Sequence, residues 1–307
     1  MLNYNGRDLL AECLPSVLAA SKKSAAPCSV TVIDNCSADD SVEFLRNEFP
    51  DAKVFLPKKN RVLCSFNEAV RESRADIVLL FNNDLKVDEN FLAPLVEVFQ
   101  NHPDAFFTAP KVLFYETGRC QASLAKMEFR WGLLWGSARF GGSERTIVGP
   151  TYTMQCGNGA FHRERFLAVG GYDDLYLPGT VEDTDLCFRG WRRGWKGYYA
   201  PASVIHHMGQ TTFKKEFGAS GIRRINRRNL YLFVWKNVRN PVLLAQHFLF
   251  LPAHLLRYCV LGQFDFVKGF FEALRLLPKA LQRRRLARLE PAALSDRMIF
   301  AISKEIH

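Results

Sequence analysis

Asp76-Ile77-Val78-Leu79-Leu80-Phe81-Asn82-Asn83-Asp84 is the stretch that decides the fold. Its apolar run from Ile77 to Phe81 has no polar break, which predicts a strand buried on both faces, as in a parallel sheet. The run ends abruptly in three polar residues. In open α/β sheets ligands bind beyond the carboxyl ends of the strands. Asn82, Asn83 and Asp84 therefore stand where a ligand would be met, although an Asn-Asn-Asp turn explains the same residues locally.

Upstream, Ser29-Val-Thr-Val-Ile33 is a second β-branched strand ending at Asp34. Leu9, Leu10, Cys13, Leu14, Val17 and Leu18 recur at helical spacing before it, with Pro15 marking a first turn or a kink. Ser37 and Asp40 then suit a helix start, Val54-Phe-Leu56 a short strand, and 66–73 a helix. Downstream, Asp88 is placed to cap a helix bearing Phe91, Leu92, Leu95, Val96 and Phe99. This alternation predicts an α/β domain with a mostly parallel sheet and helices on both faces.

Residues 110–150, rich in Gly and aromatics, break the rhythm and predict an inserted loop or hairpin. Order returns with Gly157-Asn-Gly-Ala160 and Gly170-Gly171, then a helix from Glu182 to Arg193 closed by Gly194, then a strand over 196–200. The predicted division is a catalytic domain over 1–217 and a helical, apolar and basic segment over 218–307.

The 307-residue chain is 48% hydrophobic and 23% charged, a globular composition. Its formal net charge of +10 suits nucleic acid, anionic lipid or phosphorylated small molecules. No nucleic-acid recognition motif accompanies the charge, so no nucleic-acid partner is expected. Arg275, Lys279, Arg283, Arg284, Arg285 and Arg288 form an acid-free run that reads either as a solvated helix face or as a membrane-surface patch. Residues 241–262 approach the length of a membrane span, but Gln246, His247, His254 and Arg257 interrupt them on one side. An in-plane amphipathic helix fits better, with packing against the catalytic domain as the alternative. The eight cysteines form no C-x-x-C pair and read as free thiols of a reducing compartment. The N-terminal residues lack a signal-peptide layout, so the expected place is the cytosol, peripheral on the cytoplasmic face of the inner membrane.

Four clusters carry candidate chemistry. Asp34 and Asn35 end a strand, where a carboxylate accepts hydrogen bonds from a base or ribose, or simply shapes a turn. Asp84 is a candidate ligand for Mg²⁺ or Mn²⁺, hard cations that take oxygen and keep positions open for phosphate. Glu182, Asp183 and Asp185 crowd the first turn of one helix, where adjacent carboxylates raise one another's pKa toward that of a general base. His206-His207 come just after a strand, and an imidazole there either completes a metal shell or is structural.

Taken in order, these stretches resemble family 2 inverting glycosyltransferases of the GT-A fold, and the rhamnosyltransferase-like members in particular. The matching segments are Asn3-Tyr-Asn-Gly-Arg-Asp-Leu-Leu, Val32-Ile-Asp-Asn-Cys-Ser37, Leu80-Phe-Asn-Asn-Asp84, Gly157-Asn-Gly-Ala-Phe, Gly170-Gly-Tyr-Asp-Asp174 and Glu182-Asp-Thr-Asp-Leu. They cover roughly residues 1–210. The resemblance implies that Asp34 recognises the nucleotide base, that Asn35, Asn67 and Asn83 lie near the nucleotide, and that Asp84 and His207 bind the metal. It also implies that Asp183 is the catalytic base, with Glu182 and Asp185 beside it.

The chain departs from that pattern twice. Only Met1-Leu2 precede the Asn-Tyr-Asn-Gly element, so the first strand reads as truncated. The stretch Asn60-Arg-Val-Leu-Cys-Ser-Phe66 also lacks the family's glycines. The implied function is sugar transfer from a nucleotide-diphosphate sugar donor to a hydroxyl of a saccharide or polyprenyl-linked glycan acceptor at a membrane surface, in cell-surface polysaccharide or glycolipid synthesis. The competing reading is a non-catalytic sugar-nucleotide or glycan-binding protein on the same scaffold.

Overall fold

The computed structural model describes residues 1–122, 124–137, 149–209 and 211–305. Its first sheet is parallel, with strands β1 (Leu2–Asn3), β2 (Thr31–Asp34) and β3 (Lys53–Phe55) side by side in that order. The two-residue β1 uses its backbone on both sides. The Ile33 and Asn35 N–H groups donate to Met1 and Asn3 carbonyls at 2.8 Å each, and Leu2 N–H donates to Phe81 at 2.7 Å. Leu2 also bridges in parallel to Asn82, so the short strand still joins the first sheet to the second.

The second sheet contains β4 (Ile77–Leu80), β5 (Leu85–Val87), β6 (Ala105–Phe114) and β7 (Cys120–Ala122). A separate hairpin, β8 (Lys126–Arg130) and β9 (Leu133–Ser137), comes next in the chain. The sheet is completed by β10 (Thr151–Tyr152), β11 (Gly159–His162) and β12 (Lys196–His207), in the order β10-β12-β6-β11-β4. Here the expectation of a mostly parallel sheet needs correcting. β6 and β12 are parallel, but β11 lies antiparallel to both β4 and β6. The excursion over 110–150 holds the end of β6, then β7 to β9. Its residues 138–148 lie outside those described.

Helices α1 (Arg7–Lys23), α2 (Ser41–Glu48), α3 (Phe66–Glu72), α4 (Leu92–Asn101), α5 (Arg163–Ala168) and α6 (Glu182–Arg192) cover the sheets. Leu10, Cys13, Leu14 and Val17 bury the inner face of α1 at the i, i+3, i+4, i+7 spacing, each large apolar side chain contributing roughly 1.5–3 kcal/mol. Pro15 sits mid-helix on the exposed face, where its missing donor faces solvent. Asp88 does not begin α4, which starts at Leu92 with Phe91 at its N-cap position. Its carboxylate meets His206 Nε2 at 3.0 Å instead.

Four more helices complete the chain: α7 (Thr211–Asn237), α8 (Pro241–Val260), α9 (Phe264–Leu289) and α10 (Asp296–Glu305). Gly218 breaks α7 with a left-handed φ of 61°. Phe233 and Val234 of α7, Ala273 of α9 and Ile299 of α10 belong to one buried cluster with Phe106, Phe161 and Trp191. These helices therefore share a core with the sheet. The polar side of α8 faces inward: His247 is buried, taking the Trp235 Nε1–H at 3.0 Å and meeting the Gly132 carbonyl at 2.6 Å, while His254 meets the Trp131 carbonyl at 2.7 Å. Leu243, Leu244, Leu251 and Leu255 pack beside them against the core, while Phe248, Leu249, Leu256 and Val260 face out, Leu249 at 74% and Val260 at 77% exposure. Among the described residues no helix is long and apolar enough to cross a membrane.

Candidate active site

The carboxyl ends of β1, β2 and β4 meet in a polar network. Asn83 Nδ2 donates to Asn3 Oδ1 at 2.7 Å, and Asn3 Nδ2 donates to Asp34 Oδ2 at 2.9 Å. Ser37 donates to both oxygens of Asp34, through its hydroxyl at 2.7 Å and its backbone N–H at 2.9 Å. Asp34 is thus a buried hub of the turn after β2. Asn35 accepts from the Ser65 hydroxyl at 2.6 Å and donates to the Val62 carbonyl at 3.2 Å, which ties down the segment without glycines. Asn67 lies further along and clasps Tyr172, donating to its carbonyl at 2.8 Å and accepting from its N–H at 2.9 Å. A Cβ on neighbouring Gly171 would stand 2.3 Å from Asn67 Oδ1, so the clasp requires glycine there.

Asp84, just before β5, and His207, at the end of β12, come together where those two strands pair, His207 opposite Leu85. His207 Nε2 lies 3.0 Å from Asp84 Oδ2, and both side chains are buried. His207 Nδ1 meets Gln121 Oε1 at 2.8 Å, and Asp84 Oδ1 is buried without a hydrogen-bond partner. With the Nδ1 proton given to Gln121, neutral His207 turns a lone pair toward a carboxylate, and two acceptors face each other. A proton or a cation between them resolves the conflict. The 3.0 Å separation is what two neighbouring ligands about 2.1 Å from an octahedral cation would show. An oxygen and an imidazole ligand with a spare carboxylate oxygen fit Mg²⁺ or Mn²⁺. Among the described residues no third His, Cys, Asp or Glu joins them, so the remaining ligands must come from elsewhere.

The acidic turn at the start of α6 is reached through Gly157-Asn158. Asn158 Oδ1 accepts from the Asn82 N–H at 3.2 Å. A Cβ on Gly157 would stand 2.9 Å from Asp183 Oδ2. One dipeptide thus touches both the β4 terminus and the Asp183 carboxylate. Asp183 Oδ1 and Glu182 Oε2 are buried without hydrogen-bond partners. Burial raises the Asp183 pKa to about 7, with the Tyr172 hydroxyl pulling the other way. Burial and then Asp183 itself push Glu182 well above the usual carboxylate range.

Asp185 faces elsewhere. It accepts from Lys236 Nζ at 2.7 and 2.8 Å, Arg189 Nε at 2.8 Å, Tyr176 OH at 2.8 Å and Asn237 Nδ2 at 2.7 Å. Burial alone would raise its pKa, but Lys236 and Arg189 hold it below the usual range. Its oxygens are committed to fastening α7 onto α6, which leaves Asp183 as the acid facing Gly157.

Two residues directly before Glu182 are strained: Thr180 and Val181 both have φ of 68°, rare for β-branched side chains. Asn229 of α7 holds them, its buried Nδ2 lying 2.8, 2.7 and 2.9 Å from the carbonyls of Tyr176, Gly179 and Thr180. Asn229, Asn158 and Gln121 escape sequence reasoning because each is a lone amide far from its partners in the chain. The Gly157-Asn-Gly motif offers a signal only for Asn158.

Residues 1–167 match the model of glycosyl transferase family 2, more than half of the chain. The chain belongs to that family. Among curated proteins this family member is 24% identical over 168 residues to "Putative polypeptide N-acetylgalactosaminyltransferase 10" of Drosophila melanogaster, covering 52% of this chain and 26% of that one. It is 29% identical over 190 residues to "Uncharacterized protein y4gI" of Sinorhizobium fredii, covering 57% and 20%. The chain therefore spans about a quarter or less of the curated relatives it matches.

Among solved structures, GalNAc-T7 with UDP, GalNAc and Mn²⁺ aligns at TM-score 0.58 and 18% identity, over 77% of this chain and 47% of that one. The Pyrobaculum calidifontis mannosyltransferase PcManGT, in complex with GDP-Man and Mn²⁺, aligns at TM-score 0.54 and 14% identity, over 94% and 85%. Both place this family 2 chain in the GT-A fold.

Proposed function

We propose that this chain transfers a sugar from a nucleotide-diphosphate donor to a hydroxyl acceptor, with inversion at the anomeric carbon. The observation that carries this reading is Asp183. Its carboxyl is half-buried against Gly157 with an unpartnered oxygen, and its pKa is raised to about 7. A carboxylate of that basicity takes the acceptor proton as the hydroxyl oxygen attacks the anomeric carbon. The bond from that carbon to the diphosphate breaks on the opposite side, which inverts the centre. Such a base contributes about 10²–10⁴ in rate. Burial keeps that basicity high against the Tyr172 hydroxyl, and the same burial, with Asp183 beside it, pushes Glu182 well above the usual carboxylate range.

Asp84 and His207 would hold Mg²⁺ or Mn²⁺, with donor phosphate oxygens as further ligands. When bound, the cation supplies positive charge against which a diphosphate departs. The Asn83–Asn3–Asp34 network, with Asn35 and Asn67, supports donor binding at the strand ends. The complexes of GalNAc-T7 with UDP and of PcManGT with GDP-Man support the same donor class.

The acceptor we propose is a saccharide or polyprenyl-linked glycan presented at the cytoplasmic face of the inner membrane, in cell-surface polysaccharide or glycolipid synthesis. The outward apolar face of α8 and exposed Trp131 support a membrane surface. Leu249→Glu with Val260→Glu should abolish sedimentation with anionic vesicles, and unchanged sedimentation would refute it. Deleting α8 is a poorer test, because His247 and its neighbours pack into the core.

The reading as a whole is tested by incubating the protein with a panel of sugar nucleotides and Mn²⁺. It predicts release of nucleoside diphosphate from at least one, with the anomeric configuration of the transferred sugar reversed. Retention of configuration, or no release from any donor, would refute it.

A further inference from the structure

A cavity of about 430 Å³ opens on the other side of α6 from Asp183. Asp185, Arg189 and Arg192 recur at i, i+4 and i+7, so they share one face of the helix, whereas Asp183 lies about 200° around it. Arg189 and Arg192 help line the cavity, and Asn67 is the only member of the nucleotide-binding set to do so.

The charge of this cavity is unbalanced. Eight lining residues are arginine or lysine and three are carboxylates. Asp185 and Asp296 lie behind the wall and pair with Lys236 and Arg192, and Glu68 pairs with Arg61, which still leaves an excess of two cations. Most of the cations are engaged: Arg283 and Arg61 reach Asp174, and Arg193 reaches Glu290. Two are not. Among the described residues, the guanidinium groups of Arg71 and Arg239 have no carboxylate within 4 Å; Arg239 spends one side-chain donor on the Ala287 carbonyl, and its backbone N–H donates to Asp296 Oδ2 at 2.6 Å. Arg284 lies behind them, buried and bonded only to the carbonyls of Trp235 and Val238. Burial, then repulsion from Arg192, Arg284 and Arg288, lowers the pKa of Arg239, with only Asp296 opposing among its main influences.

A purely structural ionic lattice would balance its charges and close the space. This one keeps a cavity of ligand size open against surplus guanidinium groups. Guanidinium donors match phosphate oxygens in pairs, and an anion here would relieve the repulsion around Arg239. Leu167, Leu286, Ala287 and Pro291 supply an apolar wall beside the cations. We infer that this cavity binds an organic phosphate, its phosphate or diphosphate held by Arg239 and Arg71 and its apolar body lying against Leu286. The source is either a soluble phosphate ester or the headgroup of a membrane lipid. Exposed Leu289 lies one turn beyond Leu286 on α9, next to the opening.

The test uses the full chain at low salt in EDTA, so that the Asp84–His207 pair cannot recruit metal-bound phosphate. Inorganic pyrophosphate is titrated by calorimetry into the wild type, Asp84→Asn, Arg71→Gln and Arg239→Gln. Sedimentation with phosphatidylcholine vesicles, with and without phosphatidic acid, runs in parallel. Binding of pyrophosphate that survives Asp84→Asn and weakens about tenfold in each arginine variant, with no arginine dependence of vesicle binding, supports a soluble ligand. Phosphatidic acid-dependent sedimentation that pyrophosphate competes away, and that each arginine variant weakens, supports a lipid headgroup. Arg71 is exposed and supports no buried contact through its side chain, so its variant tests the site even where Arg239→Gln melts early. Loss of pyrophosphate binding in Asp84→Asn, equal binding in all four proteins, or binding of neither probe overturns the inference.

Discussion

His207 Nε2 and Asp84 Oδ2 stand 3.0 Å apart across 123 positions of chain, at the end of β12 and just before β5. Gln121 decides what that meeting means, because it sets which imidazole nitrogen carries the proton. Removing an outer partner of a metal-binding histidine typically costs 10–100-fold in metal affinity or activity. Gln121→Ala should therefore raise the Mn²⁺ concentration needed for half-maximal turnover by about 10–100-fold. Titrating activity against free Mn²⁺ measures it. An unchanged midpoint would mean that the pair serves only as an internal salt bridge.

Much of this site is legible in the sequence wherever a strand ends in polar residues. Ile77–Phe81 has one reading, a buried strand, and the polar residues after it must sit at the sheet's edge. The same logic places Asp34. Asp183 is legible as an acid in a first helical turn, but its separation from Asp185 is not. The two differ by about 200° around the helix, and only α7 shows which face is already taken. Lys236, which takes it, lies 51 residues away with no local pattern linking the two. The reversed direction of β11 also escapes the sequence, because alternating helices and strands do not specify orientation once a long excursion intervenes. In α8 the polar residues are visible as a stripe. That the stripe faces inward comes from the Trp235 and Gly132 partners of His247, which no periodicity encodes.

Asn229 acts on chemistry it does not touch. It holds the loop whose left-handed Thr180 and Val181 set the direction of the acidic turn. Asn229→Ala should let that loop relax, displacing Asp183. A misplacement of about 1 Å reduces turnover by up to about a hundredfold. The loss should fall on kcat, leaving KM for the donor nearly unchanged. A rise in KM at constant kcat would instead make Asn229 a donor-binding element.

Lys236 is a buried cation paired with Asp173 at 2.8 Å and Asp185 at 2.7 Å. Removing one partner of such a set strands the other charges, which typically costs about 3–5 kcal/mol. Lys236→Met should lower unfolding stability by that order in urea titrations. A loss below about 1 kcal/mol would show that water reaches Asp185 freely, against its full burial.

Asp183 is the base we propose for the transfer. Its pKa is raised to about 7, and only the deprotonated form can accept the acceptor's proton. Rate should therefore climb as pH rises through 7 and level off above it, the limb belonging to the Glu182–Asp183 pair together. The decisive measurement is the pH profile of kcat for the wild type and Asp183→Asn, with donor and Mn²⁺ saturating. A limb near pH 7 is expected in the wild type, and a variant slowed by about 10²–10⁴ in which that limb is gone. A variant that keeps wild-type turnover, or keeps the same limb, would contradict it.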